Sequence, residues 1–280
     1  MSDLITGNTQ LAPTKAQIIA AVVQKELQFQ AKLLPYCTDV SVFAKKGAKS
    51  IDVPKLDAFS IINRASGVAG DSSVLTSAVD NIALSFNAYC AWIVDSADEI
   101  QSSIAVQMEF AKRAASAHGR YLDSQILAVL TSDLGLDVGT APITRDLILD
   151  MREYLISGNA DMNQVVLVVG PDSEKAMLKI TEFTQAQVYG GAVIPSGVIG
   201  TVYGTPVLVH NGVATGKVHM WEKSGMAVGF QLAPNMSSQP ANEFGTTAQR
   251  VAMDQLFGVD SLQNAVGGSA AGKSRLITGM

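Results

Sequence analysis

DSADEIQSSIAVQMEFAKRAASAHGRYLDSQILAVLTSDL, residues Asp95 to Leu134, reads as one long helix, and the rest of the chain is ordered around it. Ile100, Ile104, Met108, Ala111, Ala115, Leu122, Ile126 and Val129 recur near the 3.6-residue period of a single buried face. Ser96 and Glu99 make a capping box: the serine oxygen accepts from an orphan N–H, and the glutamate reaches back to the cap's own N–H. The acidic cluster Asp95, Asp98 and Glu99 therefore reads as a favourable helix start rather than as acid/base machinery. No proline interrupts the run, Gly119 is its one weak point, and Gly135 follows where a stop is expected. At about 1.5 Å per residue the helix would be roughly 60 Å long, far beyond the usual ~11–12 residues. Such a rod serves as a spine.

Composition narrows the function classes. The chain has 280 residues, 48% of them hydrophobic, and only 16% charged against a usual ~25%. A weakly charged, fairly apolar surface suits a protein largely covered by other subunits. The net charge of −5, with basic residues dispersed apart from Lys45, Lys46 and Lys49, gives no footprint for wrapping nucleic acid. No apolar run is long enough to span a membrane, and the first residues lack a secretory pattern. Cys37 and Cys90 stand apart without metal-ligand spacing and read as reduced, apolar packers.

Around the spine the pattern changes several times. Residues 1–13 are small and polar. Thr14 and Gln17 then cap an apolar helix (Ile18, Ile19, Val22, Val23, Leu27) that stops before Pro35. Ser50–Leu56 and Ala58–Arg64 have short strand patterns, and Ile82 to Val94 alternates as one return strand. Between them Ala65–Asp80, rich in Gly, Ser, Ala and Thr, reads as the mobile tip of a long two-stranded arm. Beyond the spine, Thr144–Ile156 is amphipathic, Val165–Val169 is a continuous apolar strand, and Pro171-Asp172 opens a helix. Gly204-Thr205 and Asn211-Gly212 are hairpin-type turn signals, followed by strands over Val218–Phe230 and Gln249–Phe257. Strands and helices do not alternate as βαβ units, so the fold class is α+β.

This order resembles the major capsid proteins of tailed bacteriophages, which have the Hong-Kong-97-type capsid fold. The likeness is carried by WIVDSADEIQSS (Trp92–Ser103), by Arg120, Asp123, Ile126 and Leu127 on the spine, and by VVLVVGP (Val165–Pro171). It continues in GVIGTVYGTPVLVHNG (Gly197–Gly212) and QRVAMDQLFGVD (Gln249–Asp260), and so covers nearly the whole chain. The resemblance implies an N-terminal arm over 1–35 and a peripheral-domain start with an extended β-hairpin arm, or E-loop, over 36–94. It further implies a spine helix of the peripheral domain over 95–138, a compact axial domain over 139–245, and a return strand with tail over 246–280. The implied function is a structural shell subunit, not an enzyme, with no catalytic, cofactor or metal residues. Such subunits form hexamers and pentamers of an icosahedral or prolate head around double-stranded DNA, contacted non-specifically. Implied partners are a separate scaffolding protein, a portal protein and a decoration protein, with assembly in the host bacterial cytoplasm and no membrane. Some members cross-link through a hairpin-arm lysine, an asparagine and a glutamate; Lys45, Lys46, Lys49 and Lys55 lie on or near the arm, but no complete trio can be matched.

Two other readings compete. One is an encapsulin-like compartment shell of the same fold. The other is a nucleotide-binding enzyme, since Gly267–Ser274 (GGSAAGKS) fits G-x-x-x-x-G-K-[ST]. That loop needs a strand before it and a helix after it, and only Arg275–Met280 follow. His118, His210 and His219 share no ligand spacing, and His118, within the spine, and His210, at a strand end, read as structural histidines.

Overall fold

Helix α1 (Ile104–Ser132) is the spine, about 44 Å of continuous helix. The computed structural model describes residues 31–56, 77–94, 104–137, 143–180, 200–241, 249–262 and 277–279. The expected helix start at Asp95, the helix after Thr14, the strand over Ala58–Arg64 and the Gly267–Ser274 loop all lie outside them. The inward face of α1 changes character along its length. Ala111, Ala114 and Ala115 let the helix lie close on its sheet, whereas Leu122, Ile126, Leu127 and Leu130 fill a deeper core. Beyond the helix, Gly135 N donates to the Ile277 carbonyl at 2.8 Å, tying the helix stop to a distant strand.

Two sheets form the body. A four-stranded sheet has the order β1 (Thr38–Asp39), β10 (Met226–Pro240), β11 (Gln249–Ser261), β4 (Phe86–Val94), parallel at its first pair and antiparallel elsewhere. A six-stranded mixed sheet has the order β5 (Leu136–Asp137), β12 (Ile277–Gly279), β9 (Val218–Glu222), β6 (Val165–Val169), β8 (Thr205–Val209), β7 (Thr201–Val202). Helix α2 (Arg145–Ser157), capped by the Thr144 hydroxyl accepting from Leu147 N at 3.3 Å, buries Leu147, Ile148, Met151 and Leu155 on that sheet. Helix α3 (Pro171–Met177) begins with proline, whose missing N–H costs nothing at a helix start.

A separate antiparallel hairpin, β2 (Ser50–Leu56) and β3 (Ser77–Ala83), roots in the body through Ile51 and Ile82, packed with Val40 and Ala227. Here the sequence reading needs correction. The return strand expected over Ile82–Val94 is two strands broken at Leu84-Ser85: β3 pairs with β2, and β4 pairs with β11. The break comes where Leu84 N donates to the Lys49 carbonyl at 2.9 Å, closing the hairpin root, before Phe86 stacks on Phe257. The period-two pattern runs straight through that change of sheet and hides it. Ser77–Asp80, read as part of the mobile tip, is already strand.

Three further corrections concern the later strands. The tight turn sits at Tyr203-Gly204, one residue earlier than expected, with φ of +49° and +79° as a type I′ turn requires. Asn211-Gly212 does not make a hairpin, because β8 runs parallel to β6 and β9 antiparallel to it on the other side. Val218–Phe230 is interrupted by a 3-10 turn at Lys223–Gly225, which passes the chain from one sheet to the other. β10 thus shares a sheet with β11 and β4, and β12 shares the other with β9.

Candidate functional site

A buried carboxylate in the middle of the spine accepts three hydrogen bonds from two distant parts of the chain. Asp123 is fully buried. Its Oδ2 accepts from Lys32 N at 3.1 Å and from His210 Nε2 at 3.1 Å, while Oδ1 accepts from Leu33 N at 3.2 Å. His210 Nδ1 accepts from Gly212 N at 3.0 Å, so the ring proton sits on Nε2 and points at the carboxylate. One side chain thus ties the segment 31–37, the spine, and the turn after β8. A buried carboxylate is tolerable only with such a full complement of donors. Leu33 and Cys37 follow the anchored residues into the core, and burial with the nearby Asp123 charge pushes the Cys37 thiol up to about 12. This thiol packs and does not react.

The other two histidines are separate from this junction. His118 Nδ1 lies 3.1 Å from Gln255 Oε1, and its Nε2 lies 3.3 Å from Cys90 Sγ. Burial lowers the His118 pKa and raises that of Cys90, so this is a neutral pair and not a thiolate–imidazolium dyad. His219 is buried on β9 with no partner for Nδ1 among the described residues. The three histidines thus sit in three places, and the described residues hold no group of three or more His, Cys, Asp or Glu able to bind a metal. No described helix is long and apolar enough to cross a membrane.

Burial, and secondarily the Lys217 charge, lower the His219 pKa from 6.5 to about 4. Above pH 6.5 the ring is neutral whether folded or unfolded. As pH falls from 6.5 towards 4, the unfolded chain takes up a proton that the folded one refuses, so stability falls. The expected loss is on the order of 2–3 kcal/mol by pH 4. Urea denaturation across this range should show a steeper acid loss in the wild type than in His219→Phe. Parallel pH profiles would disprove the assignment.

Large apolar side chains also face outward. Tyr89 and Ile93 on β4, the edge strand of the four-stranded sheet, are exposed together with Leu232 on β10 and Val79 on the hairpin. Such surface is ordinary in a subunit that meets neighbours. Sequence patterning did not reveal the Asp123–His210 pair, which spans 87 residues. The only signal was Asp123's place in the spine segment that carries the resemblance.

No protein-family model matches the sequence, and no curated protein matches it. Solved structures do. A structure from Mycobacterium phage Che8 aligns with a TM-score of 0.70 at 16% identity, over 89% of this chain and 90% of the other. The capsid structure of cyanophage P-SCSP1u aligns at 0.67 and 11% identity, over 87% and 85%. A virus-like particle from Pyrococcus furiosus aligns at 0.59 and 12% identity, over 94% and 98%. At these identities the likeness is one of architecture, and the α+β architecture of this chain is the Hong-Kong-97-type capsid fold.

Proposed function

We propose that the chain is a structural subunit of a capsid shell, assembling with copies of itself into hexamers and pentamers around double-stranded DNA. The observation that carries this reading is the fold likeness to the P-SCSP1u capsid structure over most of both chains. The low charge density and the outward apolar residues on β4 and the hairpin agree with it. Partners in this reading are a scaffolding protein, a portal protein and a decoration protein, and the subunit has no catalytic role. The nucleotide-loop reading loses support, because the residues after the loop, Ile277–Gly279, are a strand where a phosphate-binding helix is required.

Purified protein, expressed alone and with a scaffolding protein, should sediment as capsomers or closed shells visible by negative-stain electron microscopy. A stable, monodisperse monomer under both conditions would overturn the proposal. The likeness to the Pyrococcus particle raises the alternative of a compartment shell; protein cargo without packaged DNA in particles from producing cells would favour it.

A further inference from the structure

The loop from Val40 to Lys49 turns two apolar side chains outward on a backbone that is tied down throughout. Val42 is 90% exposed and Phe43 49%, both on the 3-10 turn Ser41–Phe43. Val40 N donates to the Val228 carbonyl at 3.0 Å, and the Ser41 hydroxyl accepts from Phe230 N at 2.9 Å. Further along, Gln231 Nε2 donates to the carbonyls of Lys45 and Ala48 at 2.8 and 2.9 Å, while Ala48 N closes the turn on Lys45 O. Gly47, at φ +83°, supplies the left-handed residue this turn needs. The outward apolar pair therefore sits on an ordered loop and is preorganised. Lys45, Lys46 and Lys49, the densest basic cluster in the sequence, are exposed on the same loop.

A surface of opposite character lies on the other sheet. The outer face of α2 exposes Asp146, Asp150 and Glu153 at i, i+4 and i+7, and ends in Ile156, which is 51% exposed. The loop packs on β10 of the four-stranded sheet, whereas α2 covers the six-stranded sheet. We propose that the Val40–Lys49 loop of one copy docks on the outer face of α2 in a second copy. Lys45, Lys46 and Lys49 would meet Asp146, Asp150 and Glu153, and Val42 and Phe43 would meet Ile156. This rests on the reading of the chain as a shell subunit. A self-complementary contact would set three lysines against three lysines; joining unlike faces is head-to-tail, the arrangement that closes rings. Two apolar side chains flanking the lysines suit a protein surface better than a phosphate backbone.

Charge reversal tests it. The triple variant Lys45→Glu, Lys46→Glu, Lys49→Glu and the triple variant Asp146→Lys, Asp150→Lys, Glu153→Lys should each raise the concentration for half-maximal assembly by about tenfold or more. The combined six-fold variant should return to within about threefold of wild type, since the pairs are restored with reversed sign. Val42→Ser with Phe43→Ser, which leaves charge alone, should weaken assembly in the same direction. Sedimentation measures all of these, with thermal unfolding of unassembled subunits showing that each variant is folded. The proposal fails if the triple variants assemble like wild type, if the six-fold variant is no better than the worse triple, or if only the packaged nucleic acid is lost. Wild-type protein that never assembles would bring down the shell reading as well. Wild-type shells indifferent to the swaps would bring down the docking alone.

Discussion

Asp123→Ala is expected to destabilise the folded chain by about 3–5 kcal/mol, the range for breaking a buried charged interaction by removing one partner. The truncation leaves three donors without an acceptor, Lys32 N, Leu33 N and His210 Nε2, the last two of them buried. It also removes the group that holds the residue 31–37 segment against the spine, so loss should be uneven. Amide exchange of that segment should rise well before exchange in β6 and β9, whose strands do not touch the carboxylate. Asp123→Asn keeps one acceptor oxygen but turns an amide NH2 towards a donor, and should fall between the two. Urea denaturation of the three proteins at neutral pH measures this. A loss below about 1 kcal/mol for the alanine variant, the scale of an ordinary single hydrogen bond, would show that the junction is not an anchor.

Trp221→Ala should cost a similar amount, about 3–5 kcal/mol, by a different route. Trp221 is fully buried on β9 within the core that also holds Leu122, Ile126 and Phe257. Its indole N–H donates to the Tyr36 carbonyl at 3.0 Å, across 185 residues of sequence. Truncation opens a cavity between spine and sheet and leaves that carbonyl without its donor. Trp221→Phe separates the two effects, since it restores most of the ring but not the donor, and should cost about 1–3 kcal/mol. If the phenylalanine variant were as unstable as the alanine one, the hydrogen bond rather than the volume would dominate, contrary to the packing account.

Features with a local physical cause were legible in the sequence. The spine's apolar period, the amphipathic helix after Ile143, the continuous Val165–Val169 run and the proline-led α3 all appear where their residues predict. Features set by partners distant in sequence were not. Alternation from Ile82 to Val94 is equally compatible with one strand or two, because both β3 and β4 bury the same parity of residues; only pairing decides. Asn211-Gly212 has hairpin chemistry, yet β6 lies between the strands it joins. Asp123 looks like any polar residue on an amphipathic helix. Its meaning comes from backbone donors some 90 residues earlier and a histidine 87 residues later.

The 3-10 turn Lys223–Gly225 is the hinge point between the two sheets, and it is fastened from both directions along the chain. The Thr38 hydroxyl donates to the Lys223 carbonyl at 2.9 Å from 185 residues earlier, and Leu262 N donates to the Gly225 carbonyl at 2.9 Å. The strand β12 then joins β5 and β9, with the Thr278 hydroxyl reaching the Leu136 carbonyl 142 residues back. The consequence is one of timing. Neither sheet can be finished until late in synthesis, because β11 must exist before β10 and β4 are joined, and residues 277–279 before β5 is joined to β9. Closure of such distant contacts is slow relative to local helix formation. A nascent chain can therefore form its spine before either sheet is complete, and the six-stranded sheet is finished only once residues 277–279 have been made.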